Sequence, residues 1–143
     1  MTAYIDPDRE QFQAFKDLDR DHPIEMLNLV RFRATATYPE GHALADAGLS
    51  GAEAYANYGR DSGPVLARVG GSILWRGTYQ SMLIGPTDEV WDAMFIARYP
   101  SAHAFLAMVT DPEYRLAVVH RQAGVATSRL IRTKPSEAGE QFS

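Results

Sequence analysis

The sequence contains no cysteine. That absence removes disulfides, thiolate nucleophiles and every cysteine-based zinc or iron–sulfur site. No apolar run approaches the roughly 20 residues that span a bilayer, and the start, Met1 to Arg9, lacks a signal peptide's basic and apolar regions. An excess of positive charge is missing too. A net charge of -4 and a pI near 5.5 argue against a nucleic-acid partner, which requires a basic surface to displace counterions. The histidines His22, His42, His103 and His120 show no ligand spacing, so no metal site is expected. G-x-G-x-x-G, P-loop, G-x-S-x-G and H-E-x-x-H motifs are all lacking. What remains is 143 residues, 45% hydrophobic and 22% charged, expected to fold as a single cytoplasmic domain (1–143) with no membrane partner.

The apolar pattern supplies the elements. Asp6-Pro7 looks like an N-cap with proline at the first helical position, and Phe12, Phe15 and Leu18 follow at helical spacing, predicting a helix over 7–19. Ile24 to Arg33 is apolar at both odd and even positions in its middle, which predicts a strand covered on both faces. Thr35 to Leu49 has no clear period, and its length suggests a lid or an arm contacting a partner. Ser50 and Glu53 form a capping box that opens a helix carrying Tyr55, Tyr58 and Gly59 on one side. Gly63-Pro64 should kink or restart that helix, and Gly70-Gly71 should stop it.

Ser72 to Ile84 and Val90 to Tyr99 are predicted strands, the first with a bend at Gly77. Ser101 and Asp111-Pro112 open two helical segments, Gly124 ends the second, and Val125 to Arg132 is the last strand. The core thus spans about 23–132, and the polar stretch 134–143 is expected to be a flexible tail. The order gives an α+β, ferredoxin-like β-α-β-β-α-β sandwich with an antiparallel sheet and an extra N-terminal helix. Its second sheet face, equally apolar, needs a cover, and a second copy of the chain is the simplest one.

Few residues stand out chemically. Asn28 interrupts the apolar centre of the first strand, so its amide must bond either a ligand or neighbouring backbone. His103, in the first turn of its helix, could act as acid or base, or could simply be an exposed histidine. Arg31, Arg33, Arg76 and Arg98 lie within or at the ends of strands, where they either reach solvent or converge on an anion. Trp75, Tyr79, Trp91 and Tyr99 serve either packing or an aromatic-walled cavity for a planar ligand.

Several segments resemble domain-of-unknown-function family thirteen-thirty. These are Leu27-Asn28-Leu29-Val30-Arg31-Phe32-Arg33, Tyr55-x-x-Tyr58 leading to Gly70-Gly71, and Arg98-Tyr99-Pro100-Ser101 followed by Asp111-Pro112-Glu113-Tyr114 and Arg121-x-x-Gly124. The resemblance covers roughly Pro23 to Arg132. It implies the dimeric α+β barrel superfamily: two sheets face to face across a twofold axis, in a homodimer. That superfamily includes cofactor-independent monooxygenases and isomerases as well as members with no known reaction. It therefore implies a protein needing no cofactor that acts on a small aromatic or carbonyl compound. His103 would take a proton, Asn28 with Arg31 or Arg98 would stabilise an enolate, and Trp75 or Trp91, with Tyr99, would wall the site. The other reading is a non-catalytic small-molecule-binding or structural dimer.

Overall fold

A computed structural model describes residues 2–143. Its elements are α1 (Arg9–Asp17), β1 (Ile24–Phe32), α2 (Gly51–Arg68), β2 (Ser72–Gly77), β3 (Ala93–Tyr99), α3 (Ala102–Thr110), α4 (Pro112–Gly124) and β4 (Val125–Thr133). The four strands form one sheet in the order β2-β3-β1-β4, and each neighbouring pair is antiparallel. This is the ferredoxin-like arrangement, with α1 added in front.

Side chains alternate across β1, and the alternation sorts the sheet into two faces. Ile24, Met26 and Val30 are buried, and Asn28 lies in phase with them. Met26 stands opposite Ala97 and Arg132, and Asn28 opposite Phe95 and Leu130. This face packs against the helices through Val65, Ala102, Phe105, Met108 and Tyr114. Leu27 and Leu29 point the other way, level with Ile96 and Ile131, and with Met94 and Arg129. No helix covers them, and Trp75 and Ile131 remain 44% and 47% exposed there.

The caps act as the sequence predicts at α2, α3 and α4. Ser50 and Glu53 close their box, Ser101 Oγ accepts from Ala104 N–H, and Asp111 accepts from Glu113 N–H. Four expectations need correction. The first helix is capped by Asp8, whose Oδ1 accepts from Gln11 N–H at 2.7 Å, so it starts at Arg9 instead of Pro7. Helix α2 runs unbroken through Pro64. Strand β2 stops at Gly77, because its partner β3 begins opposite it at Met94 and nothing beyond pairs with 78–84. Strand β3 correspondingly starts at Ala93, not Val90.

The segment between β1 and α2 is pinned rather than free. Ala36 N–H donates to Leu49 O and Thr37 N–H to Ala123 O, at 2.8 and 2.9 Å. Tyr38 is buried with Ala54 and Ala123 in a second small core. Where β1 leads into this segment, backbones meet at two glycines. A Cβ on Gly51 would sit 2.1 Å from Arg33 O, and one on Gly124 would sit 2.7 Å from Gly51 O. Only glycine allows that approach.

Candidate functional site

Between the helix-covered face of the sheet and α1, α2 and α4 lies an open cavity of about 2020 Å³. Pockets for small ligands usually measure about 300–1,000 Å³, so a small ligand would occupy only part of it. The polar groups converge at one part. Tyr55 and Tyr58, one turn apart on α2, meet Tyr114 of α4 and Tyr99 of β3. The Tyr58 and Tyr114 hydroxyls are 2.9 Å apart, and Tyr99 O–H points at Met108 Sδ. Tyr55 rests on Phe32 and Tyr58, with centroids 5.1 and 5.4 Å away. Among the described residues its hydroxyl has no hydrogen-bond partner.

Burial, reinforced by the neighbouring Tyr58, lifts the pKa of Tyr55, Tyr99 and Tyr114 above a phenol's ordinary value of 10. They are therefore neutral hydrogen-bond donors at physiological pH and not bases. With Arg129 set aside, because its register opposite Leu29 belongs to the other face, six arginines line the cavity against three aspartates. Two of these arginines brace its wall. Arg121 donates to Ile5 O and to Ser128 Oγ, and Arg132 donates to Phe15 O and Asp19 O. Together with Ser128 N–H bonded to Tyr4 O, these contacts hold the N-terminal segment and α1 in place as one side of the cavity.

The structure places the sequence candidates unevenly. Asn28 and Tyr99 line the cavity. Asn28 Nδ2 also donates to Met26 O at 3.1 Å, so backbone satisfies part of its amide. Arg31, Arg98 and Trp75 fall on the uncovered face, as their register opposite Thr127, Glu25 and Ile96 requires. Trp91 is buried before β3, beneath the Arg129 guanidinium. His103 is exposed on α3, with Nε2 3.0 Å from Asp21 Oδ1. The expectation that His103, Arg31 or Arg98, and Trp75 or Trp91 gather with Asn28 around one ligand is thus corrected: strand parity and helix phase send them elsewhere. The lid expectation for the 35–49 segment is corrected as well, since none of its residues lines the cavity.

Sequence reasoning passed over the phenols and Arg76 and Arg121 as a group. Their available signal was the tyrosine spacing on α2 and the Tyr114 and Arg121 positions on α4. A second polar cluster sits behind the cavity: Tyr38 Oη is 2.7 Å from His120 Nδ1, and His120 Nε2 is 3.3 Å from Asp61 Oδ2. His42 stacks on Tyr38. Among the described residues no group of three or more His, Asp or Glu side chains is placed to hold a metal, and no helix is long and apolar enough to cross a membrane.

A family model described as domain of unknown function, DUF1330, matches residues 40–133. The chain belongs to the DUF1330 family. The match begins later than the Pro23 expected from the motifs, leaving α1 and β1 ahead of it. Two crystal structures of one relative extend the likeness over nearly the whole chain. One is of the methylated RPA0582 protein: 56% identical, covering 98% of this chain and 100% of that one, with a TM-score of 0.90. The other is of RPA0582, a protein of unknown function from Rhodopseudomonas palustris: 55% identical, covering 96% and 100%, TM-score 0.88. SnoaB, a cofactor-independent oxygenase from Streptomyces nogalater, is 14% identical over 82% of this chain and 96% of its own, with a TM-score of 0.51. That likeness to SnoaB is one of fold. A search among curated proteins finds no match.

Proposed function

We propose that this DUF1330 chain forms a homodimer through the uncovered face of its sheet and binds a small aromatic or carbonyl compound in the cavity on the other face. The phenol cluster carries this reading. Neutral Tyr55 and Tyr114 hydroxyls on a largely apolar wall can donate to a ligand oxygen while Phe95 and Tyr99 contact its plane. Asn28 offers an amide from the sheet side.

Turnover by a cofactor-independent oxygenase or isomerase route is the second reading, and the same phenols favour it. Fixed donors aimed at an oxygen stabilise the charge that develops there as an enolate forms. Against it stands the lining itself, which contains no histidine or glutamate to take the proton. Its aspartates are committed in part, Asp8 to the α1 cap and Asp92 to Phe32 N–H.

Calorimetric titration with a planar enolisable compound, a hydroxynaphthoquinone or an aromatic 1,3-diketone, tests the reading. Binding should weaken at least tenfold, about 1.4 kcal/mol, in Tyr114→Phe. If neither probe binds, or both bind this variant as well as the original, the cavity assignment fails. Solvent deuterium entering the bound diketone, or oxygen uptake, separates turnover from simple binding.

A further inference from the structure

We propose that the cavity selects ligands carrying a carboxylate, which Arg76 and Tyr55 receive together. This rests on the cavity reading above and names the ligand class it takes. Arg76 lies on β2 in register with Phe95, which puts it on the cavity side of the sheet, and it lines the cavity. It makes no hydrogen bond or ion pair with any described residue. Arg60, Arg68 and Arg129, by contrast, form salt bridges with neighbouring carboxylates. Tyr55 likewise presents to the cavity, from α2 on the helix side, a hydroxyl with no hydrogen-bond partner among the described residues.

Both groups line the cavity, Tyr55 from α2 and Arg76 from β2, and the positive charges of Arg121 and Arg76 partly offset the upward push that burial gives the Tyr55 phenol. A guanidinium fork matches the two oxygens of a carboxylate, and a neutral phenol adds a donor to one of them. The wider charge pattern agrees. The chain as a whole carries -4, yet on the covered side of the sheet six arginines and three aspartates line this cavity. A positive cleft in an acidic protein concentrates anions locally, whereas the outer surface repels them.

The test compares 1-hydroxy-2-naphthoate with its amide, which keeps the ring and loses the charge. The naphthoate should bind the full chain at least tenfold more tightly, and the difference should shrink as sodium chloride rises. Arg76→Gln should remove most of that preference while amide binding stays the same. Tyr55→Phe should remove a smaller part. Arg76 is solvent-exposed on an edge strand, and an unchanged circular-dichroism melt confirms that the variant folds. Equal binding of acid and amide, or a preference that survives Arg76→Gln, overturns the carboxylate assignment and leaves the cavity reading intact. Failure of both compounds to bind overturns the two together.

Discussion

The two faces of this sheet are built from the same strands and both carry apolar residues at their centre, yet they have opposite fates. On the covered face, Met26, Val30 and Ala97 disappear under helices, and the polar groups among them are either bonded or turned toward a cavity. On the other face, Leu27, Leu29, Met94 and Ile96 stay half-buried and lie outside the core cluster. A helix-covered face can tolerate a hollow because its walls are fixed by the chain's own connections. Large exposed apolar patches mark interaction sites. The proposed function places binding on one side of β1 and assembly on the other, one residue apart.

A charge placed on the uncovered side should have the largest effect. Leu29→Glu should dissociate the proposed dimer, since an unpaired charge buried at an interface costs about 3–5 kcal/mol, several hundred-fold in the dissociation constant. Sedimentation at micromolar concentration reads this directly. A wild-type chain that already runs as a monomer would remove the contrast between the faces. Met26→Ala, on the covered side, should leave association intact and lower unfolding free energy by about 2–5 kcal/mol in a denaturant titration. Were it to change the mass in solution instead, the faces would be assigned the wrong way round.

The smallest expected effect depends on pH and touches only the helix side. Burial lowers the pKa of His120 from its ordinary 6.5, opposed by Asp61 and assisted by His42 and Arg60. Its neutral form is therefore favoured in the folded state. The resulting stability is full above pH 6.5 and is lost as pH falls below that value and through the lower folded one. Thermal melts of the wild type should decline between pH 7.5 and 5 more steeply than those of His120→Asn, with Tyr38's segment first to gain hydrogen exchange. Parallel curves for the two would show that His120 does not titrate this way.

Much of this was legible in the residues. Apolar residues at both parities in Leu27–Val30 announced a sheet apolar on both faces, and Ser50, Ser101 and Asp111 announced three helix starts. The ligand side was less legible. Strand parity is visible within β1, but which parity meets the helices depends on the pairing of β1 with β3 and β4, and that decision alone separates Asn28 from Arg31. The length of β2 depended on where β3 begins, which no local pattern in 72–84 records. The phenol cluster assembles from α2, β3 and α4, so spacing within any one helix shows at most a pair of its members.

The wall formed by α1 has a consequence for how such a cavity changes over evolutionary time. The groups proposed to read a ligand's charge, Tyr55 and Arg76, lie inside the stretch the DUF1330 model matches, whereas the segment from Tyr4 to Asp17 lies outside it. That segment is attached by bonds from Arg121, Ser128 and Arg132 to its backbone and by Phe12 and Phe15, which pack on the core, Phe15 with its centroid 4.9 Å from that of Phe105. Arg9, Gln11 and Ala14 line the cavity between these anchors and are exposed, so they can change with the anchors untouched. Size and shape selectivity would then vary separately from charge selectivity, with the frame holding one preference constant as those few positions of α1 explore the other.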